Sequence, residues 1–268
     1  MTRENEKRRF CLIGPTYPYR GGIAHYNTCL IRELSKTADV TAVNFSRLYP
    51  GFLFPGKTQL DESERPFTAA SARLIDSINP FTWIRAGWRA ARSRPDFVLV
   101  QWWHPFFAPA MFTVCLVLRI MRRKRIIFIC HNVLPHEKSF VDRILAGAAF
   151  SLAGGFLAQS NEDRDKLLGI RRHAPVAVHP HPIYDFFAAG TLGREEARRA
   201  IGEGDGPLLL FFGYVRRYKG LSHLVEAMPL IRERVPARLL VVGEFYEDRA
   251  PYEALAARLG VAAAVRFE

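Results

Sequence analysis

Cysteine is scarce and unpatterned: Cys11, Cys29, Cys115 and Cys130 are the four in 268 residues, each in an apolar stretch and none in a C-x-x-C pair. That usage argues against a disulfide framework and fits buried free thiols in a reducing compartment. Acid is also in short supply, with 26 Asp and Glu against 38 Lys and Arg, a net charge of +12. Such a balance points to phosphate-rich partners or an anionic membrane surface. The basic residues are dispersed in RRF, RSR, MRRKR, IRRH, ARR and VRRYK, and no helix-turn-helix, finger or RNP pattern is present, so nucleic acid is not an expected partner. Long apolar runs are missing too. Phe106 to Met121 is interrupted by Pro109 and Arg119 and falls short of the roughly 20 residues a bilayer span needs. A buried crossover helix explains it better, although the adjacent MRRKR leaves attachment to anionic lipid open. The charged opening MTRENEKRRF is followed only by CLIG, so there is no signal-peptide core and the expected location is cytoplasmic. No G-x-G-x-x-G occurs anywhere.

What is present is a composition 49% hydrophobic and 24% charged, enough apolar material for one large or two modest domains. The most informative stretch is Leu208 to Ala227, LLLFFGYVRRYKGLSHLVEA. Leu208 to Phe212 is an apolar run of strand length, suited to a parallel strand covered on both faces. After Gly220, Leu221, Leu224, Val225, Met228 and Ile231 recur at helical intervals. Arg216, Arg217 and Lys219 stand between strand and helix. A helix N-terminus offers N–H groups and the positive end of a dipole, so cations placed before it outline a phosphate site. From this loop alone, three solvated basic side chains are an equally good reading.

Strands and helices alternate through the rest. Arg9 to Gly14 reads as a first strand, and PTYPYRGG then brings Gly21 and Gly22 to the start of a helix bearing Ile23, Tyr26, Leu30, Ile31 and Leu34 on one face. Paired glycines admit a ligand close to the backbone, or simply make a tight turn. Asp39 to Phe45 is a second strand, Ser46 to Thr68 a long punctuated loop, Ala69 to Ser77 a short helix, and Pro80 to Arg92 a longer one with Trp83, Ile84, Gly87, Trp88 and Ala91 inward. Asp96 to Trp102 and Arg125 to Cys130 are strands around the apolar helix, the rhythm of a doubly wound parallel sheet, in which ligands bind beyond the carboxyl ends of the strands. His131, Asn132, His136 and Glu137 of HNVLPHE stand at such an end, a stronger constellation than a lone structural histidine. Val141 to Phe150 is predicted helical, Gly155 to Gln159 a strand, SNEDRDKL a helix start capped by Ser160 or Asn161, and Pro175 to Pro182 a last strand. His179 and His181 are too close and proline-bound for a metal pair.

G-Y-V-R-R-Y-K-G with the L-x-x-L-V-E-A helix, the glycine loop after the first strand, and H-N-V-x-P-H-E together resemble the GT-B, family-4 type of retaining glycosyltransferase. The resemblance touches nearly the whole chain in four stretches and implies an α/β fold of two Rossmann-like doubly wound domains. It divides the chain into an acceptor-side domain at 1–185, a linker at 186–206, and a nucleotide-sugar domain at 207–268. In that family a basic pair grips the donor diphosphate. Lys219 falls at the lysine position, and Arg216 substitutes for an arginine whose usual place is taken by Tyr214. Gly21 and Gly22 match the family's phosphate-facing glycine loop. His131 matches a histidine beside the transferred sugar, with Asn132 and Glu137 as secondary sugar- or acceptor-side residues. Gly243 and Glu244, in a G-E-F turn after RLLVV, replace the family's G-x-G-like turn against the nucleotide. The implied partners are a nucleotide-sugar donor and a glycan or lipid-linked acceptor, with no cofactor and no metal.

From Pro207 only about 60 residues follow, half of a two-part doubly wound sheet, and they end inside an apolar strand, so the second domain is expected to be incomplete. The family's E-x7-E motif belongs later in that domain. Glu195 and Glu203 have its spacing but precede the domain's first strand, a chance match. The rival readings are a nucleotide-sugar epimerase or inverting transferase of the same architecture, and a non-catalytic binding remnant.

Overall fold

The computed structural model of the chain describes residues 7–54, 56–64, 66–122, 125–135, 139–185 and 192–268. The chain divides into two compact units, residues 1–54 with 58–182 and residues 55–57 with 183–268. Glu137 and His136 lie outside the described residues, as do residues 186–191 of the expected linker.

In the first unit, β1 (Arg9–Ile13), β2 (Asp39–Arg47), β3 (Ala72–Asp76), β4 (Phe97–Trp102), β5 (Arg125–Cys130), β6 (Gly155–Ala158) and β7 (Val176–Val178) make one sheet in the order β3-β2-β1-β4-β5-β6-β7, every pairing parallel. Parallel neighbours cannot be joined by tight hairpins. The returns are α1 (Gly22–Ser35), α2 (Pro80–Arg92), α3 (Ala108–Arg122), α4 (Phe140–Phe150) and α5 (Asn161–Ile170). The chain winds outward from β1 in one direction and from β4 in the other, so β1 and β4 flank the switch point of the sheet.

Local chemistry sets the helix starts. The Asn79 side chain accepts from the Phe81 N–H ahead of α2, whose first residue is Pro80. Ser139 and Asp142 form a reciprocal capping box on α4, and Ser160 caps α5. Core residues then alternate along the strands. Cys11 and Ile13 join Val98, Val100, Ile126 and Phe128 in the larger cluster, whereas Leu12 packs with Ile31 and Ala42. Trp102, Phe128, Phe150 and Phe156 stack edge-on and tilted within the larger cluster. All four cysteines are free, and Cys11, Cys115 and Cys130 are fully enclosed.

Two expectations fail here. The stretch 69–77 is not a helix: Ala72–Asp76 forms the edge strand β3, where pairing with β2 outweighs the weak helical pattern of so short a segment. On α2 the inner face is Ala86, Gly87, Ala90 and Ala91, while Ile84 and Trp88 point outward and Trp83 is half-buried. The reason is the distance to α3. A Cβ on Gly87 would stand 2.8 Å from Val117 Cβ, so only small residues fit between the two helices. The apolar helix itself begins two residues later than expected, after a 3-10 turn at Pro105–Phe107.

The second unit holds α6 (Arg194–Ala200), β8 (Leu208–Phe212), α7 (Leu221–Arg234), β9 (Arg238–Val242), α8 (Ala250–Arg258) and β10 (Val265–Phe267), with a parallel sheet in the order β10-β9-β8. Val215, Leu221, Val225 and Met228 pack on Leu239, Val241, Tyr252 and Ala256. The expectation that β8 is covered on both faces is corrected: Leu209 and Phe211 face this core, but Leu210 is 60% and Phe212 77% exposed. Helices α7 and α8 lie against the covered face, and alternation along the strand turns every second side chain away from it.

Glu203 anchors the segment ahead of β8. Its carboxylate is 3% exposed and lies 2.9 Å from Arg266 Nη1 and 3.4 Å from Arg238 Nε. The pair of arginines comes from β9 and β10, so the acid ties the approach chain to two strands. Removing the acid leaves Arg238 and Arg266 partly exposed to water, with Arg266 still paired to Glu268 at 2.8 Å. Glu203→Ala is expected to destabilise the second unit by about 1–2 kcal/mol, and Glu203→Gln by less. Hydrogen exchange of the β9 and β10 amides measures this; unchanged protection in Glu203→Ala would show that the pair contributes nothing.

Candidate functional site

The carboxyl ends of β1, β4, β5 and β6 converge on a line of polar side chains. Its anchor is the carbonyl of Pro15, which can only accept. Asn27 Nδ2, from the buried face of α1, donates to it at 3.1 Å. This fixes the amide, so Asn27 Oδ1 faces Gln101 and accepts from Gln101 Nε2 at 3.0 Å. Gln101 Oε1 is thereby turned to His131 Nε2, 2.7 Å away, which must carry the proton. His131 Nδ1 is left as an acceptor and receives Gln159 Nε2 at 2.9 Å. The tautomer of His131 thus follows from a backbone carbonyl three hydrogen bonds away.

Packing holds the line in place. The Tyr26 ring stands edge-on to His131, 4.7 Å between centroids, and its hydroxyl bonds Gln159. His181 lies tilted beside both rings. Gly14 is needed behind Gln101, because a Cβ there would fall 2.5 Å from Gln101 Cγ and 2.7 Å from its Cβ. Burial pulls the His131 imidazole from its ordinary value of 6.5 down to about 4, the neighbouring His181 adding to this and the Gln159 bond opposing it. The ring is therefore neutral at pH 7, with both nitrogens bonded to glutamine amides. Gln101, Gln159, Asn27 and Tyr26 were not singled out from sequence. The available signal was a glutamine at the end of an otherwise apolar strand, FVLVQW, repeated at the end of GFLAQ.

Near this line Gly21 precedes α1 at φ 105°, a conformation that requires glycine, and neither Gly21 nor Gly22 has an atom within 4 Å of a would-be Cβ. The first turn of α1 has no acidic residue. The Cβ side of both glycines is thus uncrowded at a helix N-terminus. Asn132 is half-buried beside His131. The ring of His179 turns to the carbonyl of Pro180. Among the described residues, no three His, Cys, Asp or Glu stand together to hold a metal ion.

In the second unit, β8 and β9 end on Gly213 (φ 111°) and Gly243 (φ 150°). A Cβ on Gly243 would lie 2.1 Å from the Gly213 carbonyl oxygen, so any larger residue would separate the two ends. The backbones stay joined beyond them, Val215 N–H donating to Glu244 O at 2.9 Å and Tyr246 N–H to Val215 O at 3.1 Å. Tyr214 and Tyr246 lie tilted against each other at 4.7 Å between centroids, and the Arg216 guanidinium lies 4.6 Å above the Tyr246 ring. Arg217–Lys219 forms a 3-10 turn, and Gly220, at φ 75°, starts α7, which has no acid in its first turn. Lys219 Nζ comes within 3.6 Å of where a Gly213 Cβ would stand. The unit therefore gathers Gly213, Lys219, Arg216, Gly243 and Glu244 at one helix N-terminus and two strand ends.

Two measurements test the first-unit line. The His131 pKa of about 4 lies below its unfolded value of 6.5, so the unfolded chain binds the extra proton in between. Stability is whole above pH 6.5 and is lost as pH falls toward 4, by about 3 kcal/mol, a slope that His131→Gln removes. Urea titrations across that window read it. Gly14→Ala should displace Gln101 at a cost of about 2 kcal/mol, and shift the His131 ring nitrogen signals in NMR; unshifted signals would show that the line tolerates the methyl group.

Residues 193–268 match the family described as glycosyl transferases group 1. No curated protein sequence matches the chain. Among solved structures, the UDP-N-acetylglucosamine 2-epimerase from Rickettsia bellii is similar with TM-score 0.57 and 13% identity, over 98% of this chain and 69% of that one. The alpha,alpha-trehalose 6-phosphate synthase from Burkholderia multivorans is similar with TM-score 0.58 and 13% identity, over 98% and 72%. Anabaena Alr3699/HepE, solved in complex with UDP and glucose, gives TM-score 0.61 and 13% identity, over 96% and 68%. At these identities the likeness is one of fold, and the family match rests on the second unit. Taken together, the chain has the GT-B fold and carries, in residues 193–268, a segment of the glycosyl transferases group 1 family.

Proposed function

We propose that this protein moves a hexose-type sugar from a nucleotide-sugar donor to a glycan or lipid-linked acceptor with retention of configuration, in the synthesis of cell-surface polysaccharide or glycolipid. The observation that carries this reading is the Arg216 and Lys219 pair at the N-terminus of α7, inside the segment that matches the glycosyl transferases group 1 family. When the bond between the anomeric carbon and the donor oxygen breaks, its electron pair goes to the diphosphate. Two cations and a helix N-terminus stabilise the charge that develops there, in the role a metal ion fills in other phosphate chemistry. The acceptor hydroxyl adds to the face the leaving group vacates, and its proton passes to the departing phosphate. Gly243 and Glu244, on the adjoining strand end, are assigned to the nucleotide. Gly21 and Gly22 offer an anion-binding helix N-terminus of the same kind in the first unit.

His131 is assigned to the sugar as a neutral group. A glycosyl transition state carries oxocarbenium character, which an imidazolium would oppose and a neutral ring does not. Its Nδ1 lone pair is the position a sugar hydroxyl would take by displacing the Gln159 amide, while Nε2–H stays on Gln101. Asn132 and Glu137 are assigned to the sugar and acceptor side. No metal or organic cofactor enters this scheme, and the proposed location is the cytoplasm, peripheral at the inner membrane face. The epimerase reading is kept alive by the fold shared with the Rickettsia protein, and release of a free sugar epimer without any acceptor would favour it.

Isothermal titration of UDP, GDP and their sugars tests the donor site. One nucleotide is expected to bind, and Lys219→Ala to weaken it about thirtyfold, as loss of a charge-assisted phosphate bond does, with Lys219→Arg recovering part. Undiminished binding in both Lys219→Ala and Arg216→Ala would remove the cationic site from the argument.

A further inference from the structure

Helices α2, α3 and α4 lie side by side over one face of the first sheet, with Ala86, Ala90, Val114, Leu118, Ala146 and Ala149 turned into the core. Their opposite side is unusual for a water-facing layer. Phe81 on α2 is 82% exposed, Ile120 on α3 75% and Phe140 on α4 79%, and Ile84, Trp88 and Ile144 are exposed with them. Single apolar side chains at a surface need no explanation, but protruding aromatics and isoleucines on three adjacent helices do. The charges on these three helices are basic but for one. Arg85, Arg89 and Arg92 accompany them on α2, Arg119 on α3 and Arg143 on α4, all exposed. Neither α2 nor α3 contains an acidic residue, and the single one on α4, Asp142, is committed to the Ser139 capping box.

We propose that this three-helix face seats on an anionic lipid bilayer. The apolar side chains enter the headgroup region, and the arginines, whose stems lie along the apolar surface as Arg92 lies 4.3 Å over the Trp88 ring, reach the lipid phosphates. Charge separates this occupant from the others. A second copy of the same face would set arginine against arginine, and a nucleic acid would leave the aromatic side chains in water.

Sedimentation with vesicles of phosphatidylcholine alone, and of phosphatidylcholine with about one-third phosphatidylglycerol, tests this. The chain is expected to pellet with the anionic vesicles only, and to be released as salt is raised. Arg85→Gln with Arg89→Gln should lower partitioning about thirtyfold, each arginine near an anionic surface contributing about fivefold. Phe81→Ser with Phe140→Ser should lower it by about tenfold or more through lost apolar insertion. All four positions are exposed, and unchanged circular dichroism and melting show that the variants fold. Quenching of Trp88 by brominated lipid, absent in Trp88→Phe, places the face itself at the bilayer. Equal binding to both vesicle types, variants that pellet like the parent, or self-association abolished by the phenylalanine pair would each overturn the proposal, the last in favour of a second copy.

Discussion

Parallel strands cannot be connected by short turns, and nearly everything about this protein descends from that restriction. Each strand needs a crossover that returns the chain, a helix everywhere except the loop between β2 and β3, so all the strand-to-helix junctions of one sheet fall on one edge. In the first unit this edge collects Gly21, Gln101, His131 and Gln159, which are far apart in sequence. In the second it collects the ends at Gly213 and Gly243 and the cationic turn before α7. The same restriction covers sheet faces with helices, whose outer sides then become the protein's surface.

The polar line from Pro15 to Gln159 shows how such an edge acquires a defined chemical state. A carbonyl has no hydrogen to give, and each amide that is oriented by it orients the next. The direction of donation is uniform, and the imidazole within it receives one tautomer and, through burial, the neutral state. In the second unit the electrostatics are of the opposite kind. Arg216 and Lys219 are exposed, cationic and mounted on a short turn, suited to a ligand that brings its own negative charge.

Much of the fold was legible because its signals are local. Buried strands such as RIIFIC read as apolar runs, and Pro80 and Ser160 mark helix starts by their own chemistry. What was not legible depended on distance between elements. The face of α2 could not be read from its periodicity, since Trp88 and Ile84 look like core residues until the closeness of α3 leaves room only for glycine at 87 and alanine beside it. The strand β3 has too few residues to carry a period and takes its form from β2. At the candidate site the glycines, His131, Arg216 and Lys219 were visible as motifs. Gln101, Gln159 and Asn27 were not, because a hydrogen-bonded line across four elements leaves no spacing in the sequence. They announce themselves only as polar residues in apolar surroundings.

The ion pairs of Glu203 bear on where the second unit begins as a piece of protein. The first strand of its sheet starts at Leu208, and a cut placed just before that strand would look natural on the map of secondary structure. It would leave Arg238 and Arg266 adjacent without their shared acid, and it would strip away α6, whose Arg198 holds the carbonyl of Gly206 and whose end, at Ile201, accepts from Arg266. The physical boundary lies upstream of α6, so any excised or transplanted copy of this unit has to carry that helix with it.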